Sequence, residues 1–422
     1  MSTVTPPDTG EPAPTGSPAR APKLGRLGPI LCLAHLSWMM PVAASAPLIQ
    51  SLLGSMDAQT KLSRYAVLAA VGALVGMLAN VLFGVLSDRT RSRFGRRNPW
   101  VLLGSVGAAA SLSALSLAPG FPRMVGLWVC FHVSLNAMVS PLVAILADRV
   151  ADKQLGQASS WIGAGQLLGQ SAGTVAAGLL VAAPAYGLRW IPWVMVPGAL
   201  AVFLGAPDRS HARRDDPQED ASARHAGPAH PLLPRDADFL WALGGRLLTM
   251  LGLQCVLVYQ LYVLTDYVGL STKGAGGVIA ASGVLIALVS VAAIGVSGPW
   301  SDRLGRRKVF VIGAAALVAL AMVPPLVSPT LPAFYAFVVI GGLAYGVYIA
   351  VDQALMAEVL PDARHRAKDM GLLNSANTVP QVLAPLIAVA LVPALGYRVL
   401  FVLGIALSLT GALCIAPIRR VR

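Results

Sequence analysis

Four ionisable side chains interrupt stretches of sequence that are otherwise apolar. Arg246 and Asp352 carry full charges, and His35 and His132 can gain a proton near neutral pH. At a helical rise of about 1.5 Å per residue, Arg246 and Asp352 lie at similar depths inside their apolar stretches. An unpaired charge there costs about 2.5 to 3.5 kcal/mol. We therefore expect these two residues to pair, as a static salt bridge or as a site for substrate or protons.

Carboxamide side chains form a second group with regular spacing. Gln166 and Gln170 are four residues apart, and Asn374, Asn377 and Gln381 follow at intervals of three and four. Each set therefore occupies one face of a helix. Carboxamides both donate and accept hydrogen bonds, which suits contact with a neutral solute rich in hydroxyl groups. They also join helices to one another, and the sequence leaves both interpretations open.

A charged loop occurs twice, and the copies begin 214 positions apart in a chain of 422 residues. Each copy closes an apolar stretch with Asp-Arg and continues to Gly-Arg-Arg. Its arginines can form ion pairs with acids at the ends of adjacent helices, and such ties could gate one side of the molecule. Alternatively, the arginines only fix the topology. The candidate gating residues are Asp88, Arg89, Gly95, Arg96, Arg97, Asp148, Asp302, Arg303, Gly305, Arg306, Arg307 and Glu358.

The elements that carry these residues must be membrane helices. The chain is 56% hydrophobic and only 12% charged, which excludes an ordinary soluble globular protein. Its charges lie in blocks and leave twelve apolar stretches, most of them long enough to cross about 30 Å of hydrocarbon. The fold class predicted is therefore all-α, with twelve transmembrane helices.

Positive charge sets the orientation of these helices. With both termini inside, 25 of the 32 Lys and Arg residues lie in cytoplasmic segments and six lie in outer loops. The domain boundaries that follow are a cytoplasmic tail at 1–26, a six-helix bundle at 27–206, a polar linker at 207–236, a second six-helix bundle at 237–417 and a short tail at 418–422. A net charge of +13 spread over short loops does not indicate nucleic-acid binding.

Polar residues recur in register between the two bundles. Gln166 and Gln170 match Asn377 and Gln381 at an offset of 211, and His35 matches Arg246 at the same offset. Duplicated halves are the usual plan of a secondary transporter. His35 is therefore the stronger functional candidate of the two histidines, although either could stay neutral and bond a neighbouring helix.

The duplicated loop resembles the signature Gly-x-x-x-Asp-Arg-x-Gly-Arg-Arg of the major facilitator superfamily. The copy at 298–307 matches without a gap, and the longer copy at 84–97 is similar to that of the glycoside–pentoside–hexuronide cation symporters and the sucrose symporters. The resemblance implies two pseudo-symmetric six-helix bundles that alternate access to a central cavity. It also implies that the first, fourth, seventh and tenth helices line that cavity.

Two departures from family patterns bear on the coupling ion and on the efflux alternative. Melibiose-type members carry acids in the second and fourth helices, whereas the second stretch here has no charge and the fourth has no acid before Asp148. We therefore expect protons rather than sodium as the coupling ion. Proton-driven drug exporters carry an arginine in the fourth helix and Gly-Pro in the fifth, and neither occurs here.

These observations predict a transporter of a small polar organic solute, with a sugar favoured and efflux of a drug or specialised metabolite as the alternative. The sequence shows no phosphate-binding loop, metal-ligand cluster or catalytic constellation, so we expect neither an enzyme nor a cofactor. The expected partners are the substrate, protons and the lipid bilayer. A monomer in the plasma membrane, with both termini cytoplasmic, is the expected state.

Overall fold

A computed structural model describes residues 25–118, 120–150, 154–206, 236–304, 306–359 and 366–418. These residues form helices joined by short turns, which confirms the all-α prediction. Most of the predicted linker and of both tails lies outside the described residues.

The first half comprises six helical spans. They are α1 (Leu27–Met56), α2 (Lys61–Arg89), α3 (Asn98–Leu115), α4 (Phe121–Arg149), α5 (Leu155–Leu180) and α6 (Pro184–Gly205). The span α6 is interrupted by a 3₁₀ turn at Ile191–Val194, where Pro192 cannot donate a backbone hydrogen bond.

The second half repeats this plan. Its spans are α7 (Ala237–Leu257), α8 (Thr272–Leu304), α9 (Arg307–Val327), α10 (Leu331–Val359), α11 (Arg366–Leu395) and α12 (Arg398–Ile415). Between α7 and α8 the chain forms a short helix, Gln260–Tyr262, followed by a π-helical turn, Val263–Tyr267.

Eleven helices within the described residues are long and apolar enough to cross a membrane. The twelfth span, α5, falls below that hydropathy because one of its faces carries serine and glutamine side chains, including Ser160, Gln166 and Gln170. A twelve-helix fold in two halves is therefore consistent with the structure, and α5 combines a membrane-spanning length with a polar face.

Close packing of α1 against α5 holds the first half together. Gly165, Gly169 and Gly173 lie at intervals of one helical turn on α5 and face the backbone of α1. A methyl group on Gly169 would lie 2.6 Å from the carbonyl oxygen of Leu36. Glycine at these positions lets the two backbones approach within contact distance.

The two halves meet at one end of the molecule. We call the end that carries the arginine-rich loops the basic end and the other the opposite end. Toward the opposite end, Gly178 of α5 packs against Gly276 of α8, and Thr174 packs against Gly283. At the same end the hydroxyl of Tyr259 donates to carbonyl oxygens of α2 and α11.

Toward the basic end, the face of α5 that contacts α8 becomes exposed. On α5, Ser160, Gly163 and Gln170 are exposed on the same face that contacts α8 further along the helix. Another exposed side of α5 is apolar and presents Trp161 and Leu168. From this exposure we infer an opening between the halves at the basic end, lined by the polar face of α5.

We expect Gly169→Ala to lower the thermal unfolding midpoint of the purified protein. Its new methyl group would meet the α1 backbone, which cannot move aside like a flexible side chain. Thermal unfolding in detergent measures the effect.

Gly163→Ala is the matched control for this substitution. It lies on the same helix, and no atom stands within 4 Å of its added methyl group. Because alanine favours helix over glycine by about 1 kcal/mol, this control should unfold at the same temperature or higher. An equal loss of stability in both variants would contradict tight α1–α5 packing.

Candidate functional site

The structure brings together the two charged residues that the sequence placed at similar depth. Arg246 of α7 and Asp352 of α10 are each 2% exposed, and Arg246 Nη1 lies 3.2 Å from Asp352 Oδ2. Arg246 Nε also donates to Asn377 Oδ1 on α11 at 3.3 Å. Tyr348, one turn before Asp352, is buried in the same cluster. Three helices of the second half thus converge on one ion pair.

This ion pair is incompletely hydrogen-bonded. Within the described residues, Arg246 Nη1 and Asp352 Oδ1 are buried without a hydrogen-bond partner. Burying two charges costs several kcal/mol each, and a static bridge recovers that cost only when its remaining hydrogen-bonding positions are filled. Whether the pair exchanges partners or only joins helices stays a prediction.

Neutral polar side chains line the opening on both sides. On α5, Gln170 is exposed and Gln166 is half-buried. On α11, Gln381 is exposed, and its Nε2 lies 3.3 Å from the backbone oxygen of Asn377. Asn377 therefore belongs both to the amide face of α11 and to the Arg246–Asp352 cluster. The side chain of Asn374, which completes the predicted amide set, lies outside the described part of the chain.

Both candidate histidines lie in the first half, away from the ion pair of the second half. His35 is fully buried, and its Nδ1 lies 2.9 Å from the Leu31 carbonyl oxygen. His132 packs edge-on against Trp128 and lies directly over Gly72 of α2, where a larger residue would collide with the ring. The Nε2 atoms of both rings are buried without a described hydrogen-bond partner.

The first copy of the duplicated loop forms a compact ionic network. The Arg97 guanidinium contacts Asp88 Oδ1 at 2.6 Å and Asp148 Oδ2 at 2.9 Å, and it donates to the Ser87 hydroxyl. Arg96 pairs with the other oxygen of Asp148 at 2.7 Å. These contacts join α2, α3 and α4 within the first half.

The other residues of the two loop copies include a glycine that turns the chain and several exposed arginines. Gly95 has a φ of 92°, a left-handed conformation that favours glycine and turns the chain into α3. Arg89, Arg303 and Arg306 are exposed, and Arg307 is half-buried. Gly305 and the side chains of Asp302 and Glu358 lie outside the described residues, so ties in the second copy stay a prediction.

A third polar cluster, at the opposite end, was not predicted from the sequence. Lys61 at the start of α2 pairs with Asp266 in the π-helical turn of the second half, at 2.6 Å. Beside it, Gln50 donates to the Val258 carbonyl oxygen, and Tyr262 donates to the Gln50 carbonyl oxygen. The sequence signal was weak, since these partners are more than 200 positions apart in the chain.

Comparison with known proteins places this architecture in a family. A model of the family described as "MFS/sugar transport protein" matches residues 57–398, which is most of the chain. That range includes both copies of the duplicated loop, the amide faces of α5 and α11, and the Arg246–Asp352 pair.

Individual relatives match over shorter lengths. The general alpha-glucoside permease of Schizosaccharomyces pombe is 27% identical over 156 residues, covering 32% of this chain and 27% of the relative. The sucrose transport protein SUC4 of Arabidopsis thaliana is 27% identical over 198 residues, covering 40% and 37%. The matches thus span between a quarter and two fifths of these relatives.

Among solved structures, a D-xylose-proton symporter has a similar fold. The TM-score is 0.68 at 16% sequence identity, and the superposition covers 93% of this chain and 97% of the symporter. At that identity the similarity concerns the fold alone.

We expect Arg97→Lys to reduce stability, because a lysine cannot reach Ser87, Asp88 and Asp148 together as the planar guanidinium does. Both acids are partly exposed to solvent. We therefore expect a loss of about 1 to 2 kcal/mol, less than for a fully buried pair. Thermal unfolding of the purified variant measures it.

Arg93→Lys provides the comparison. Arg93 lies in the same loop and is exposed, and its described contact is with the neighbouring Phe94 ring. If this conservative change destabilises the protein as much as Arg97→Lys, the network does not depend on the shape of the Arg97 side chain.

Proposed function

The chain belongs to the MFS/sugar transport protein family, and on that premise we propose that it carries a small, neutral solute of the sugar class across a membrane by alternating access. The proposal assigns it transport without chemical change of the cargo. The curated relatives named as glucoside and sucrose transporters support the choice of cargo.

We further propose that the basic end faces the cytoplasm. Exposed arginines such as Arg89, Arg303 and Arg306 lie at this end, as expected for cytoplasmic loops. The described conformation is then inward-open, with the cavity continuous with the cytoplasm and the opposite end closed. A monomer in the plasma membrane completes this proposal.

The uncharged polar side chains on both sides of the opening favour an uncharged cargo. A sugar presents hydroxyl groups that both donate and accept, and Gln170 and Gln381 offer the same two functions. A charged cargo would call for a matching fixed charge exposed in the opening. Arg246 and Asp352 are instead buried and paired with each other.

One observation carries the proposal furthest: the Asn377 side chain contacts Arg246 from the amide face of α11. A cargo hydroxyl that bonds to Asn377 Oδ1 would compete with the Arg246 Nε for that oxygen. Occupation of the amide face would thereby alter the hydrogen bonding of Arg246 and its pairing with Asp352. The proposed cargo site and the Arg246–Asp352 pair would thus share the Asn377 side chain.

Proton coupling follows from the same cluster. Asp352 can lose its charge by taking a proton, whereas Arg246 stays charged in proteins. A proton on Asp352 would release Arg246 to other acceptors, and departure of the proton would restore the pair. We propose this exchange as the coupling step, with Asp352 as the proton site.

Thermal-shift screening of the purified protein against mono- and disaccharides tests the cargo, since a bound ligand stabilises the folded state. For the sugar that stabilises it most, Gln170→Ala and Gln381→Ala should weaken binding by a few-fold to about tenfold, the effect of losing one neutral hydrogen bond. Titration of the thermal shift gives the affinities.

Leu168→Ala and Leu383→Ala are the matched controls, because they are exposed apolar residues on the same two helices. Their affinities should equal that of the parent protein. If no sugar stabilises the protein while organic anions or hydrophobic amines do, the sugar assignment is wrong. Uptake into right-side-out and inside-out vesicles then separates import from export.

We expect Asp352→Asn to abolish the increase of uptake that an acidic outer solution produces in proteoliposomes. The asparagine keeps the shape of the side chain but takes up no proton. Exchange of labelled for unlabelled cargo at equal pH should persist, because it needs no net proton movement.

Arg246→Ala should lose both activities, because it leaves Asp352 buried without its partner, at a cost of about 3 to 5 kcal/mol. Protein abundance in the membrane must be measured beside transport. If a double variant, Arg246→Leu with Asp352→Leu, regains pH-driven uptake, the pair is a structural bridge and the coupling assignment is wrong.

A further inference from the structure

At the opposite end of the molecule, the carboxylate of Asp266 accepts hydrogen bonds from three side chains. Lys61 Nζ lies 2.8 Å from its Oδ1 and 2.6 Å from its Oδ2. The Tyr397 hydroxyl donates to Oδ2 at 2.8 Å, and the Thr265 hydroxyl donates to Oδ1 at 2.8 Å. Both carboxylate oxygens are therefore bonded to groups that hold them in place.

This cluster joins the two halves. Lys61 begins α2 of the first half, whereas Asp266 and Tyr397 belong to the second half, before α8 and α12. The Lys61 ammonium also lies 4.7 Å above the Tyr262 ring, a favourable position for a cation. The side chains of Lys61 and Asp266 are 16% and 28% exposed, so solvent screens the pair less than it would a fully exposed one.

Two local features prepare Asp266 for this contact. It lies in the π-helical turn Val263–Tyr267, a form of helix that is rare and is often found at functional sites. Burial, and then the negative charge of Asp266, raise the pKa of the Tyr397 hydroxyl above its ordinary value. The hydroxyl therefore keeps its proton and remains a donor to the carboxylate.

From this arrangement we infer that the Lys61–Asp266–Tyr397 cluster is a lock that favours the inward-open state and must break before the opposite end can open. Separation of the halves moves Lys61 away from Asp266, while Tyr397 and Thr265 remain beside it in the second half. The strength of the ion pair then sets the balance between the inward-open and outward-open states. The inference rests on the alternating-access part of the proposed function.

A second acid on the same side supplies a matched control. Asp57 follows α1 and pairs with Arg64 at 3.4 Å, and both residues belong to the first half. Hydrogen bonds from the Thr60 side chain and the Gln59 amide lower the pKa of Asp57, which favours its carboxylate form. Asp57→Asn and Asp266→Asn each remove one negative charge at the same end. The ion pair of Asp266 joins the two halves, whereas that of Asp57 lies within the first half.

Thr174→Cys reports opening directly. Thr174 packs against Gly283 where α5 meets α8, so a reagent added from outside can reach it only when the halves separate there. The experiment measures the rate at which a membrane-impermeant maleimide labels this cysteine in right-side-out vesicles. Protein without Thr174→Cys gives the background from the four native cysteines.

We expect Asp266→Asn and Lys61→Met each to raise the labelling rate by roughly three- to tenfold, as loss of a partly buried ion pair would. Asp57→Asn should label like its parent. Exchanging the charges, Lys61→Asp with Asp266→Lys, should return labelling toward the parent rate. Equal rates in Asp266→Asn and Asp57→Asn would overturn the lock.

This readout is separate from the identity of the cargo. Labelling is measured without a solute, so failure of every sugar to bind would leave the lock intact while refuting the sugar assignment. Conversely, a protein that transports sugars but labels alike in all variants would keep its proposed function and lose the lock. Should Asp266→Asn be poorly expressed, Lys61→Met tests the same contact from the other half.

Discussion

The cost of an unpaired charge in hydrocarbon is the constraint on which this structure depends. It confines most arginines to short loops, and it leaves inside the helices only charges that find a partner. Arg246 and Asp352 satisfy it by pairing with each other across α7 and α10. Lys61 and Asp266 do so across the two halves, at the edge of the apolar region. Each of these two ion pairs is thus also a connection between elements.

The two halves share a plan but divide the polar chemistry unequally. The first half holds an ionic network around Arg97 at its basic end, whereas its interior polar groups include serine hydroxyls, amides and the rings of His35 and His132. The second half places a charge pair in its interior. At the position equivalent to His35, it has Arg246. The duplicated sequence therefore preserves positions of polar residues but not their charge, and an asymmetric site results.

Sequence reasoning predicted features that depend on local periodicity and depth. The depth of Arg246 and Asp352 follows from counting residues along helices, and their pairing follows from the cost of leaving them apart. The partners of Asp266 could not be found in this way, because Lys61 and Tyr397 approach it only after the halves dock. The close packing of α5 against α1 could not be found in this way either, because the sequence does not show which helix the α5 glycines contact.

Two sets of contacts oppose each other in this conformation. Closure at the opposite end is made by an ion pair and by hydrogen bonds to backbone oxygens, which do not depend on cargo. The central cluster, by contrast, leaves Arg246 Nη1 and Asp352 Oδ1 without described hydrogen-bond partners. A cargo hydroxyl or a proton that binds this cluster would lower the free energy of whichever state binds it best. Under the proposed alternating access, such differential binding at the centre must offset the free energy of the contacts at the opposite end before that end opens.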